Sequence, residues 1–84
     1  MKTENIESEL KRMRDRVKYH LYYLEMRELD WKTRCEDMQR HGETDSKDFV
    51  RASAKYYTFS AEVNVMRGIV ADVESLIEKG ELAR

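Results

Sequence analysis

The side chains that could do chemistry in this chain are few and poorly arranged for it. His20 and His41 are the only histidines, and Cys35 is the only cysteine. An imidazole or a thiolate works as a base, nucleophile or metal ligand only beside partners at set spacings, and neither an HExxH run nor a Cys-x-x-Cys pair is present. Cys35 and His41 stand six positions apart, off helical register and across a helix end, so they do not form a nucleophile–base pair. Carboxylates are plentiful, including Glu25, Glu28, Asp30, Glu36 and Asp37. An all-helical Mg²⁺-dependent hydrolase needs several of them converging on one inward face. A helix turns about 100° per residue, so Glu25, Glu28 and Asp30 scatter around it. The three glycines are isolated, so no glycine-rich loop cradles a phosphate. These patterns predict a protein that is not an enzyme and that carries no metal and no cofactor.

One basic run, "KRMRDRVK" at residues 11–18, holds five basic residues and one acidic one. Its Arg12, Arg14, Arg16 and Lys18 are the candidates for contact with an anion or a nucleic acid. Two features weaken that reading. The basic side chains spread around a helix rather than forming one stripe, and the formal net charge of the chain is −1. A general nucleic-acid or membrane-surface binder usually shows a strong basic excess.

The elements that carry these residues follow from composition and spacing. The chain has 84 residues, no proline and three glycines, which is one small domain with few enforced breaks. The single clear break is "RHGETDSKD" at residues 40–48. Gly42, after His41 and Arg40, suits a left-handed residue closing a helix, and Thr44, Asp45 and Ser46 are all suitable N-caps for the next one. The sequence therefore predicts a first helix over about 4–40, capped by Thr3 or Asn5, a turn over 41–46, and a second helix over about 46–79, stopped by Gly80. Glu7–Lys11, Glu28–Lys32, Asp30–Arg34 and Glu36–Arg40 are favourable i,i+4 pairs on the first helix.

Apolar residues recur every seven positions in both segments. Leu10, Val17, Leu24, Trp31 and Met38 mark the first; Phe49, Tyr56, Val63, Val70 and Ile77 mark the second, interleaved with Ala52, Phe59, Met66 and Val73. The interleaved set of the first helix is weaker: Ile6, Met13, Leu21 and Cys35, interrupted by Arg14 and Glu28. Folding the chain at its break aligns the two series pair by pair, Met38 with Phe49 through Leu10 with Ile77. The expected fold is all-α, an antiparallel hairpin of two long coiled-coil-like helices in one domain. Cys35 then falls in the seam opposite Ala52, and the basic run lies near Asp72, Glu74 and Glu78.

A second apolar face lies outside that seam. Tyr19, Tyr22, Tyr23, Met26 and Leu29 cluster on the far side of the first helix. On the second helix the small residues Ala54, Ala61, Gly68 and Ser75 recur every seven positions beside Val65. Exposed apolar patches mark interfaces, and small residues let another helix approach closely. Tyr19, Tyr22, Tyr23, Met26, Leu29, Ala54, Ala61, Val65 and Gly68 are therefore the candidate interface. The expectation is a homo-oligomer, a dimer above all, in which the large face of one hairpin meets the small face of another in a four-helix bundle. A protein partner, bound by an inhibitor or adaptor, is the expected function, and a nucleic acid or nucleotide on the basic run is the alternative. The absence of an apolar run near the ~18 residues of a membrane span, of a signal peptide and of paired cysteines predicts a cytoplasmic protein with no membrane partner. Its size and lack of catalytic residues are in the style of small phage or mobile-element proteins.

Overall fold

The computed structural model describes residues 2–82, with the side chains of residues 5–81. Two helices, α1 (Lys2–Arg40) and α2 (Lys47–Leu82), pack against each other as a hairpin 61 Å long and 15 Å across. No strand is present among the described residues. Long helices are what a proline-free chain rich in Glu, Lys, Arg and Leu favours, but propensity alone does not hold a helix of 39 or 36 residues in place; the shared seam does.

Local hydrogen bonds specify the reversal between the helices. Gly42 has φ of 70°, a left-handed conformation that glycine adopts without steric penalty. Its N–H donates to the Gln39 carbonyl at 3.1 Å, and the Glu43 N–H donates to the Met38 carbonyl at 2.8 Å. Together these are a Schellman closure of α1. The His41 ring adds a bond from Nδ1 to the Asp37 carbonyl at 2.7 Å. Of the three candidate caps for α2, Ser46 serves: its Oγ accepts the Phe49 N–H at 3.0 Å. The same hydroxyl donates to the Glu43 carbonyl at 2.9 Å and so ties the cap to the turn.

Both outer ends run further than expected. α1 is helical from Lys2, so Thr3 and Asn5 lie inside it, and the Thr3 side chain is outside the described residues. α2 passes through Gly80 to Leu82. Gly80 does not form a left-handed stop: among the described residues Gly42 is the only one of positive φ. Gly80 instead faces the seam, where a Cβ would come within 3.7 Å of Glu7 Oε1.

The seam has the register read from the heptads. Leu24 and Val63, level with each other near mid-height, are buried, Val63 completely. Val70, Val73 and Ile77 are buried toward the open end, Cys35 and Ala52 toward the turn. Leu10, Val17, Leu21, Trp31, Met38, Phe49, Tyr56, Phe59 and Met66 are half-buried beside them. One assignment needs correction. Ile6 and Met13 are exposed, and the interleaved set of α1 is Glu7, Arg14, Leu21, Glu28 and Cys35, none of them exposed. The alternation of three and four residues around Leu10 puts 7 and 14 in the seam and leaves 6 and 13 on its flank. Arg14 and Glu28 have alkyl stems that can cover apolar neighbours while their charges stay wet.

Candidate interaction surfaces

The structure brings the chemical candidates to separate places. Cys35 is buried, with its Sγ 3.9 Å from Ser53 Oγ. His41 is engaged in closing α1. His20 is exposed at the edge of the seam, stacked on Tyr23 with centroids 6.3 Å apart and planes 18° apart. No three His, Cys, Asp or Glu side chains among the described residues are grouped so as to hold a metal ion. No described helix is long and apolar enough to cross a membrane.

The basic run is largely occupied by acids. Arg12 pairs with Glu9 at 2.9 Å and Arg14 with Asp15 at 3.1 Å. Lys18 reaches across the seam to Glu74 at 3.0 Å, and Lys11 to Glu81 at 3.8 Å. Arg16 is exposed. The fold thus sets helix α2's acids against the basic run, and a phosphate approaching it competes with carboxylates.

Two of those pairs belong to a ladder that also includes Glu25–Arg67 at 2.9 Å. Lys11, Lys18 and Glu25 step by seven up α1; Glu81, Glu74 and Arg67 step by seven down α2. All three lie on one flank of the seam, and the charge order reverses at the third rung. Elsewhere Arg40 pairs with Asp37 rather than Glu36, and the Arg34 guanidinium sits 4.4 Å over the Trp31 ring. Exposed i,i+4 pairs are weak enough that nearer partners take these side chains.

The expected interface residues are all at the surface. Tyr19 is the most exposed at 78%, and Tyr22, Tyr23, Met26 and Leu29 are exposed around it. Tyr19, His20, Tyr22, Tyr23 and Met26 line a cleft of about 370 Å³. On α2, Ala54, Ala61, Gly68 and Val65 are exposed. A Cβ at Gly68 would meet nothing within 4 Å, so packing within the hairpin does not require that glycine. A groove of about 430 Å³, lined by His20, Leu24, Ala61, Glu62, Val65 and Met66, opens between the helices on the flank opposite the ion ladder. Sequence reasoning missed this groove. The register held the signal, since Ile6, Met13 and His20 recur every seven residues along that flank of α1, as Glu62, Ile69 and Leu76 do along α2. Compared with known proteins, the chain matches no family model, no curated protein and no solved structure.

Proposed function

We propose that the chain is a small non-enzymatic helical protein that works as an oligomer and acts by binding another protein, as an inhibitor or adaptor. The observation that carries this reading is the cluster of Tyr19, Tyr22, Tyr23 and Met26. These side chains are exposed, contiguous and unused by the hairpin. Aromatic and methionine side chains supply large contact area for a small loss of conformational entropy, and they commonly anchor binding hot spots.

A contact of large face against small face between hairpins has a geometric consequence. The tyrosine face and the Ala54–Ala61–Gly68 stripe lie on opposite outer edges of the hairpin. Their pairing is heterologous and propagates from copy to copy instead of closing at two. The tyrosine face is therefore better suited to a foreign protein.

A photo-crosslinking amino acid at Tyr22 tests this in cells that express the chain. The expected result is an adduct heavier than the chain by something other than its own mass, lost in Met26→Glu. An adduct of two chains assigns the face to self-association, and no adduct overturns the reading.

A further inference from the structure

We propose that the flank opposite the ion ladder binds a small organic phosphate, with its phosphate between Arg27 and Lys55 and its apolar body in the groove over Leu24, Val65 and Met66. This site is separate from the tyrosine face and does not depend on the reading above.

Charge order differs between the two flanks. On the ladder flank each charged rung, Lys11–Glu81, Lys18–Glu74 and Glu25–Arg67, joins opposite charges. On the other flank the same register aligns Ile6 with Leu76, Met13 with Ile69, His20 with Glu62, Arg27 with Lys55 and Arg34 with Asp48. Side chains at these edge positions of paired helices select their partners by charge. Among the rungs of the described residues, Arg27–Lys55 alone sets like charges together, an arrangement that disfavours the hairpin unless an anion lies between them.

Both cations are also without acid partners. Neither the Arg27 guanidinium nor the Lys55 ammonium makes a hydrogen bond or an ion pair among the described residues. Arg27 Nε is enclosed without an acceptor, and the guanidinium is held 5.7 Å over the Phe59 ring, one helical turn from Lys55. The neighbouring charges are Arg34, placed 4.4 Å over Trp31, and Arg51, against Asp30, Asp48 and Glu62. None of these three acids pairs with Arg27 or Lys55. Glu28 lies in the seam column that borders the ladder instead. The surroundings of the rung therefore stay positive by one charge. A phosphate monoester is close to a dianion at neutral pH and offers three oxygens to the two cations, and a guanidinium suits it as a fork of donors.

The cavity selects the rest of the molecule. The groove of about 430 Å³ on this flank has Leu24, Ala61, Val65 and Met66 as apolar lining, with His20 and Glu62 facing each other across it. One heptad, about 10 Å, separates His20 and Glu62 from the cationic rung. A concave apolar surface with a few convergent polar groups is the common form of a small-molecule site. Glu62 repels a second anionic group, so the ligand carries its charge at one end only.

NMR titration of the isotope-labelled protein with naphthyl phosphate at constant ionic strength tests the inference. The expected result is saturable shifts of the Arg27 Nε–H and of the Ala61 and Val65 amides. Inorganic phosphate should move Arg27 alone, and naphthol should bind at least tenfold more weakly than the ester. Lys55→Glu turns the like-charged rung into an opposite pair. Without ligand it should melt at a higher temperature than the wild type, and it should bind the ester at least tenfold more weakly. Lys55→Gln, which removes one charge and adds none, should also weaken binding and covers the case of a rearranged Lys55→Glu. Absence of saturable shifts at Arg27 overturns the inference. So do equal affinities for the ester and naphthol, unchanged binding in both variants, or shifts confined to Tyr19 and Tyr22.

Discussion

Toward the turn the seam is aromatic and roofed by arginines; toward the open end it is aliphatic and edged by ion pairs. The turn half places Trp31, Tyr56 and Phe59 side by side, each half-buried, with Arg34 over Trp31 and Arg27 5.7 Å over Phe59. It also encloses Trp31 Nε1 and Arg27 Nε without a hydrogen-bond acceptor. The open half buries the compact aliphatic side chains of Val70, Val73 and Ile77, with Leu24 and Val63 buried at mid-height. One heptad pattern thus supports two ways of keeping a thin seam dry. The turn half can tolerate looser packing because the chain itself tethers the helices there. The open half has no covalent tether within the described residues and must hold by burial.

The largest test of this contrast is a pair of truncations followed by urea unfolding. Ile77→Ala should lose about 2–4 kcal/mol, because it empties a buried aliphatic position of the open half. Trp31→Phe should change stability by less than about 1 kcal/mol, since it also removes an enclosed N–H that has no acceptor. Equal losses at the two sites would mean that the halves are not energetically distinct.

The two surface glycines give the next test, with opposite signs. Gly42→Ala should cost about 1–2 kcal/mol, because φ of 70° is strained for any residue with a Cβ. Gly68→Ala should instead stabilise the hairpin by about 0.5–1 kcal/mol, since the position is helical and open. Thermal unfolding read at 222 nm separates them; a destabilised Gly68→Ala would show that a close neighbour occupies that stripe. Ser46→Ala, which removes the bond to the Phe49 N–H, should cost about 1 kcal/mol and loosen the turn half first in amide exchange.

The smallest effect belongs to the ladder. Its side chains are about half exposed, so each rung is worth about 0.2–1 kcal/mol and weakens with salt. Lys18→Glu should lower the melting temperature by a few degrees at low salt, and Lys18→Glu/Glu74→Lys should restore it. A double variant no better than the single would show that the rung does not couple the helices.

Much of the fold was legible from residue spacing. Two heptad series that align about one break specified the hairpin and its register, and Gly42 marked the break because its conformation is local. Cys35 fell opposite Ala52 as read. The aromatic and small faces were also visible, since exposure follows once the seam is known. The errors have a common origin. Ile6 and Met13 were assigned to the seam for being apolar, yet Glu7 and Arg14 occupy it because backbone geometry, not hydropathy, decides which position faces the partner. Gly80 looked like a stop, yet seam packing continues past it.

The sequence by itself determined the helices, the turn and the alignment between them, because these depend on periodicities and hydrogen bonds reaching only a few residues. Tertiary structure alone decided which of the many acids each lysine or arginine takes. With 16 basic and 17 acidic residues, composition leaves those choices degenerate, and only distance across the seam resolves them. The same distances edge one flank with ion pairs and leave Ile6, Met13, Ile69 and Leu76 exposed on the other.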